Sequence, residues 1–90
     1  MARSASTANV AASVTSVALF AASGGVWGRI VHNDSTATLY LKYGETASDT
    51  SYTYEIAPGA HWEAPQPVYD GVVHGIWSSA TGSARVTEVA

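Results

Sequence analysis

The chain has 90 residues and a net charge of −3; 47% of its residues are hydrophobic, 12% are charged and none is cysteine. This length allows one domain, which removes only about 60 to 65% of the extended-chain surface on folding. The lack of cysteine excludes disulfides and thiolate metal sites. Four scattered basic residues are too few to track a phosphate backbone, which argues against direct nucleic-acid binding.

Charged residues usually make up about a quarter of a soluble protein, so this low value predicts that another protein covers part of the surface. The first residues of the chain fit that expectation, because after Met1 they are small or polar, with Arg3 among them and no large apolar side chain. A terminus of this composition normally frays unless something holds it. We therefore predict an N-terminal arm, residues 1–9, that lies on a neighbouring subunit, followed by a single domain over residues 10–90.

The segment that follows resembles a weak signal peptide, since Arg3 precedes a mildly apolar run over residues 10–20 and small residues at 21–24. Three polar residues interrupt the run, and its side chains alternate as the two faces of a strand do. We therefore interpret residues 10–20 as a strand. No stretch is long and apolar enough to cross a bilayer, and we expect no membrane partner.

The middle of the chain predicts a hairpin. Residues 27–32 form its first strand, 33–36 its polar turn and 37–43 its second strand, in which every second residue from Ala37 to Tyr43 is apolar. Asn and Asp in the turn can hydrogen-bond their own backbone and tolerate left-handed angles. The hairpin is the element around which we expect the rest of the chain to pack.

Turn signals containing Gly and Pro divide the remaining sequence into short alternating runs. The strands predicted there are 51–56, 60–64, 72–78 and 84–89. The run 72–78 is apolar on both faces and is therefore predicted to be a central strand. No run has helical periodicity. About seven short antiparallel strands at this spacing predict an all-β protein, a small β-sandwich of the jelly-roll or immunoglobulin-like type.

Residues with catalytic or metal-binding chemistry show no recognisable pattern. His32, His61 and His74 have spacings that match no local metal-ligand motif. The carboxylates lie mostly beside turns, with no pair placed for acid and base roles, and no serine occupies a GxSxG context. We expect no catalytic residue, no metal and no cofactor.

Aromatic residues are numerous for so short a chain, with three Trp and five Tyr. Such rings can form the core of the sandwich, anchor a protein interface or stack on a sugar. The core and the interface are the two stronger interpretations. The residues that we predict to make interface contacts are Arg3, Trp27, Trp62, Tyr69 and Trp77.

Four stretches resemble small structural proteins encoded by tailed bacteriophages. They are NDSTATLYLKYG at 33–44, IAPG at 56–59, YDGVVHGIW at 69–77 and ATGSARVTE at 80–88. The resemblance implies a virion accessory protein, specifically a capsid cement or decoration protein that binds the outside of the assembled shell. Its partners would be the major capsid protein and further copies of itself, arranged as a homotrimer. The resemblance supplies no catalytic residues.

Such a protein would be made in the host cytoplasm and would reside on the capsid surface of the virion. Two other functions stay open. One is a glycan-binding, host-attachment module of a head or tail fibre, which a planar row of tryptophans beside Asp or Asn would favour. The other is a neck or tail connector protein, which would be present in far fewer copies per virion than a cement protein.

Overall fold

The computed structural model describes residues 3–90. Among these residues there is no helix, and hence none long and apolar enough to span a membrane. Eight strands are present: β1 (Ala5–Ala11), β2 (Val17–Phe20), β3 (Gly28–Ser35), β4 (Leu39–Tyr43), β5 (Tyr54–Ile56), β6 (His61–Glu63), β7 (Val73–Trp77) and β8 (Gly82–Val89). The prediction of an all-β protein is confirmed.

The strands form two four-stranded sheets, ordered β1-β8-β3-β6 and β2-β7-β4-β5, here called sheet A and sheet B. Strand β1 pairs with β8, β2 with β7, β3 with β6 and β4 with β5, each time antiparallel. The first strand thus pairs with the last, the second with the seventh, and so on inwards. These pairs lie alternately in sheet A and in sheet B. This connectivity is that of a jelly roll and not the immunoglobulin-like alternative. Strand β7 lies inside its sheet, as predicted.

The core lies between the sheets and follows the period of two expected of strands. Leu39, Leu41, Val73 and Trp77 from sheet B meet Val31 from sheet A, and each has 2% or less of its surface exposed. Alternate residues of the same strands face outwards. The largest ring of this core, that of Trp77, therefore sits between the sheets and is unavailable for a contact with another molecule.

The predicted hairpin is wrong in its pairing, although both of its strands exist. Strand β3 continues through Asn33 to Ser35 and pairs with β8 and β6, whereas β4 pairs with β7 and β5. Residues 36–38 cross from one sheet to the other. Both strands carry an apolar face, and burying those faces against each other across the sandwich satisfies the alternation as well as a hairpin would.

The single strand predicted over residues 10–20 is also wrong. The chain bends at 13–15, so that β1 lies in sheet A and β2 in sheet B. The bend is held by the Ser13 hydroxyl, which accepts from the Thr15 amide at 3.1 Å, while the Ser13 carbonyl accepts from the Trp77 amide at 2.8 Å. Hydroxyl side chains commonly stabilise such turns. This division accounts for the eighth strand.

The segment predicted to be an arm, residues 1–9, overlaps β1. Residues 5–9 pair with β8 of the same chain, and Ser4 exchanges backbone hydrogen bonds with Ala90 at 3.2 and 2.9 Å. These residues therefore extend the sheet of the domain that we predicted to begin at residue 10. Residues 1 and 2 lie outside the described part of the chain. Backbone pairing holds a segment whose small side chains could not anchor it.

Candidate interaction surfaces

Arg29 is the best-connected side chain at one end of the sandwich, and it is fully buried. Its Nε donates to Glu88 Oε2 at 2.9 Å, and Nη1 donates to the carbonyls of Tyr69 and Gly71 at 2.8 and 2.7 Å. Nη2 donates to the Ala21 carbonyl at 2.9 Å. The guanidinium thus ties two loops to β3 and β8, which gives this arginine a structural role.

Asn33 has the corresponding role near the other end of β3, and its side chain is fully buried. Its Nδ2 donates to the carbonyls of Ala37 and Ile56 at 2.8 and 3.0 Å. Its Oδ1 accepts from Ser35 Oγ at 2.7 Å and from Trp77 Nε1 at 3.2 Å. We predicted that Asn33 forms a turn through its own backbone; instead it links the two sheets through its side chain.

An aromatic cluster closes the side of the sandwich formed by β5 and β6. Tyr54 and Trp62 face each other with ring centroids 5.4 Å apart, and Tyr43 stacks on Tyr69 at 4.4 Å with an interplanar angle of 9°. Offset and edge contacts of this kind stabilise beyond the area that they bury. Burial and the neighbouring Tyr54 raise the pKa of Tyr43. The cluster therefore extends the core to this side.

Three of the five predicted interface residues accordingly serve the fold. Trp77 and Trp62 are buried, with 2% and 7% of their surface exposed, and Tyr69 is half-buried against Tyr43. The expectation that these two tryptophans make contacts outside the chain is corrected. The sequence could not separate them from Trp27, because the burial of a ring depends on strands that are remote in the chain.

Trp27 and Arg3 form an exposed pair at the end of sheet A. The Trp27 side chain is 57% exposed, and the Arg3 guanidinium lies 3.4 Å from its ring centroid. The backbone at Trp27 is fixed, since its amide donates to the Val89 carbonyl at 2.8 Å and its carbonyl accepts from Gln66 Nε2 at 3.1 Å. A rigidly held tryptophan beneath an arginine has the composition of an interface anchor.

A shallow groove on the outer face of sheet B is a second surface, which the sequence interpretation missed. Its volume is about 360 Å³, and its apolar walls are Val14, Tyr40 and Ile76. Val14 is 58% exposed, and Tyr52, which is 41% exposed, packs against Tyr40 at a ring distance of 4.9 Å. The outward position of Tyr40 in an alternating strand was the available signal. The remaining lining residues include Ser48, Asp49 and Ser78.

The two surfaces lie toward opposite ends of the molecule. Trp27 adjoins Val89 at the end of β8. Val14 lies in the bend whose residues bond to the end of β7 and the beginning of β8. Eight strand residues separate these ends, a distance of about 25 Å at 3.3 Å per residue. One domain therefore presents exposed apolar groups at two separated places.

The three histidines do not converge. His32 and His61 are paired residues on the outer face of sheet A, while His74 accepts or donates a hydrogen bond with Ser16 Oγ at 2.9 Å in sheet B. Among residues 3–90 no group of three His, Asp or Glu side chains could hold a metal ion. Nor does that part of the chain contain a planar row of tryptophans, because two of the three are in the core.

Comparisons with models of known protein families, with curated proteins and with solved structures found no match to this chain.

Proposed function

We propose that this protein is a structural component of a bacteriophage virion that binds the exterior of the assembled capsid and stabilises it. The observation that carries the proposal is the exposed Trp27 ring under the Arg3 guanidinium. Trp and Arg are the residues most enriched among the few that dominate binding energy at protein interfaces. The resemblance of residues 33–88 to virion accessory proteins supplies the class of partner.

The distribution of exposed apolar groups supports the same role. The Trp27 surface and the Tyr40 groove are separated along one rigid sandwich, so a single copy can touch two neighbouring molecules. A protein that binds only where shell subunits meet stabilises the assembled state by mass action, and this effect is multiplied over many copies. The partners in this proposal are the major capsid protein and other copies of the chain, arranged as a homotrimer on the virion.

Fold adds a weaker argument. Jelly rolls occur in viral capsid domains and also in lectins, so the architecture is compatible with a virion protein but does not by itself specify one. The low proportion of charged residues, 12%, also supports the proposal. A surface with few charges loses its water at a low cost in free energy when a partner covers it. The variants below identify the face that meets the shell.

The test is binding of the purified protein to capsid shells of the encoding phage from which it has been removed. We expect saturable binding and greater resistance of the shells to heat and to chelator. Trp27→Ala should weaken binding by at least about thirtyfold, because truncating a hot-spot residue costs about 2 kcal/mol or more. Arg85→Ala, which changes an exposed arginine elsewhere on sheet A, is the matched control for Arg3→Ala.

The outcomes separate the alternatives. No binding, together with no gain in shell resistance, would defeat the proposal. Tight binding that depends on Tyr40 but not on Trp27 would keep the capsid role and move it to the groove. A stained gel of purified virions measures copy number: hundreds of copies agree with a cement protein, whereas a handful would indicate a neck or tail connector.

A glycan-binding module is the second candidate, and the groove favours it. Tyr40 and Tyr52 offer aromatic faces beside Ser48 and Asp49, whose oxygens could hydrogen-bond sugar hydroxyls. The two rings are inclined at 50° to each other, so they do not form one flat platform. Binding on a glycan array that Tyr40→Ala abolishes would support this candidate, and a silent array would count against it.

A further inference from the structure

The outer strand β1 is an unprotected sheet edge. Its sequence, ASTANVA, contains no charged residue and no proline, and its register with β8 runs without a bulge from Ala5 to Ala11. Charges, prolines and bulges are the usual means by which proteins prevent another strand from adding to an edge. In the part of the chain that the structure describes, β1 pairs with β8 alone.

The free backbone groups of β1 can be assigned from its pairing. Ser4 and Ala90 exchange two hydrogen bonds, and the Ala12 amide donates to the Gly82 carbonyl. Hydrogen-bonded pairs alternate along an antiparallel ladder, so Ser6, Ala8 and Val10 also direct their N–H and C=O groups to β8. The intervening residues direct theirs to the open side; they are Ala5, Thr7, Asn9 and Ala11.

A cleft of about 320 Å³ lies beside this edge, between β1 and β2. Ser6 and Ala8 form its rim on β1, and Leu19, Phe20 and Val86 form its apolar walls. Glu88 also lines the cleft, and its carboxylate accepts from Arg29 Nε. Both rim residues point inwards, because they pair with Glu88 and Val86, whose side chains face the other sheet. The opposite side of the sandwich, between β5 and β6, is closed by Tyr54 and Trp62. Of these two sides, the one between β1 and β2 is therefore the open one.

We propose that this edge binds an extended, uncharged segment of another polypeptide, which adds to β1 as a fifth strand of sheet A. Its backbone would pair with the four residues that have free groups, and its inward side chains would be apolar and enter the cleft. Addition of a strand to a sheet edge obtains affinity from the backbone and selectivity from pockets at alternate positions. The inference goes beyond the proposed function, because it rests on the edge and the cleft alone.

The size of the cleft favours a foreign segment over a second copy of β1. If two copies paired about Ala8, their inward side chains would be Ser6, Ala8 and Val10, and Val10 already packs on the core of its own chain. Serine and alanine are too small to fill the cleft that Leu19 and Phe20 line. A leucine or phenylalanine at the position facing Ala8 would bury its side chain there, which stabilises far more.

The probe for this inference is a capped peptide of about nine residues in which threonine and leucine alternate, with glutamine at both ends. Two of its leucines carry N-methyl groups, so the edge of the peptide that carries the leucine amides cannot pair with β1. The peptide must then present its threonine amides to β1. Leucine side chains then face the cleft. We expect hydrogen exchange followed by NMR to show new protection at Ala5, Thr7, Asn9 and Ala11, with little change at Ser6 and Ala8.

The matched control peptide has the same composition but carries its N-methyl groups on two threonines. It must present its leucine amides to β1, which turns the leucine side chains to solvent, so its affinity should be at least about tenfold lower. Equal affinity of the two peptides would overturn the proposal. So would the absence of protection at the four residues when the first peptide is present at millimolar concentration.

Three protein variants complete the test. Thr7→Pro removes one free N–H but no backbone bond to β8, and it should weaken peptide binding at least about tenfold. Thr7→Val loses the same side-chain bond to Thr87 but keeps the N–H, so it should bind as the unaltered protein does. Should Thr7→Pro fail to fold, Ala8→Leu fills the cleft from its own chain and should weaken binding similarly. Protection of the same four amides that rises with protein concentration, without peptide, would mean that a second copy occupies the edge and would overturn the assignment to a foreign segment.

Discussion

Arg29 and Glu88 are directly paired residues of β3 and β8, and Arg29 Nε donates to Glu88 Oε2 at 2.9 Å inside the sandwich. The arginine side chain has no exposed surface, while that of the glutamate retains 23%. The remaining N–H groups of the guanidinium donate to carbonyls of the loops at Ala21 and at 69–71. One side chain therefore neutralises a partly buried carboxylate and fixes the loops at this end.

Replacing this arginine should be among the most damaging single changes to the fold. Arg29→Leu would leave Glu88 and several loop carbonyls without their donor, and we expect the free energy of unfolding to fall by about 3 to 5 kcal/mol. Urea denaturation measures the change. Arg85→Leu is the control, because its ion pair with Asp34 is exposed and should contribute no more than about 1 kcal/mol. Equal losses in the two variants would contradict the structural role of Arg29.

Asn33→Ala should show how much the polar link between the two sheets contributes to stability, apart from their apolar packing. The change leaves Trp77 Nε1 without its acceptor and the buried carbonyls of Ala37 and Ile56 without their side-chain donor. We expect a loss of about 3 kcal/mol, since each unsatisfied buried group costs about 1 to 3 kcal/mol. Asn9→Ala, on the exposed face of β1, should change stability by less than about 0.5 kcal/mol. A similar small effect at Asn33 would show that its hydrogen bonds are dispensable.

Tryptophan fluorescence should distinguish the exposed ring from the two in the core. In Trp27→Phe the component of emission most readily quenched by acrylamide should disappear, and the thermal midpoint should stay nearly constant because the ring is 57% exposed. Trp77→Phe should keep that component and lose about 2 kcal/mol or more of stability, because it leaves a gap and removes the donor to Asn33. Retention of the quenchable component in Trp27→Phe would contradict the assignment.

Tyr43 should make the protein sensitive to alkaline pH. Burial and the neighbouring Tyr54 raise the pKa of Tyr43 above its usual value of 10.0. A raised folded-state pKa means that its contribution to stability is complete below about pH 10 and is lost as pH rises through the folded-state value. The free energy of unfolding of Tyr43→Phe should therefore fall less steeply above pH 10 than that of the unaltered protein. The Tyr43 hydroxyl is buried without a partner among residues 3–90, so the variant should also be equally or more stable at pH 7.

The matched variant for this experiment is Tyr40→Phe, which removes a hydroxyl from the outer face of sheet B. We expect it to retain the steep loss of stability at high pH. Chemical denaturation at about pH 8 and pH 11 gives both comparisons. If the two variants respond alike, the burial of Tyr43 is not the cause of the alkaline loss.

Gly75 allows the packing of sheet B to be tested with a single methyl group. A Cβ atom at this position would lie 2.9 Å from the Cδ1 atoms of both Leu19 and Leu39, so Gly75→Ala should cost about 1 to 3 kcal/mol through overpacking. Gly24→Ala meets nothing within 4 Å and should be neutral or slightly stabilising. Thermal unfolding of both variants measures the difference, and no loss at Gly75 would mean that these leucines can move apart.

The sequence allowed the strands to be predicted more reliably than their partners. Alternation in residues 37–43 identified β4 and its inward face, since side chains along a strand point to opposite sides whatever the strand pairs with. The same alternation is compatible with a hairpin and with a crossing between sheets. It therefore could not show that β3 and β4 lie in different layers, or that Asn33 is a buried link instead of a turn residue.

The interface residues were harder still to identify. Composition indicated that the chain is rich in large rings, but the residues beside Trp27, Trp62 and Trp77 in the sequence do not show which of these rings is buried. Whether a ring is buried depends on which strands cover it, and those strands are remote in the chain. Only the three-dimensional arrangement separates the exposed Trp27 from the buried Trp77.

By itself the sequence determined that this is one small, cysteine-free, strand-built domain with little charge, because composition and the period of two are local properties. The tertiary structure decided the jelly-roll pairing, the burial of Arg29 and Asn33, and the open edge at β1. These depend on contacts between residues far apart in the chain, whose energies no local pattern records. The open edge shows this most clearly: the segment 5–11 has the composition of a loose arm, and only its pairing with β8 turns it into a strand with one side free.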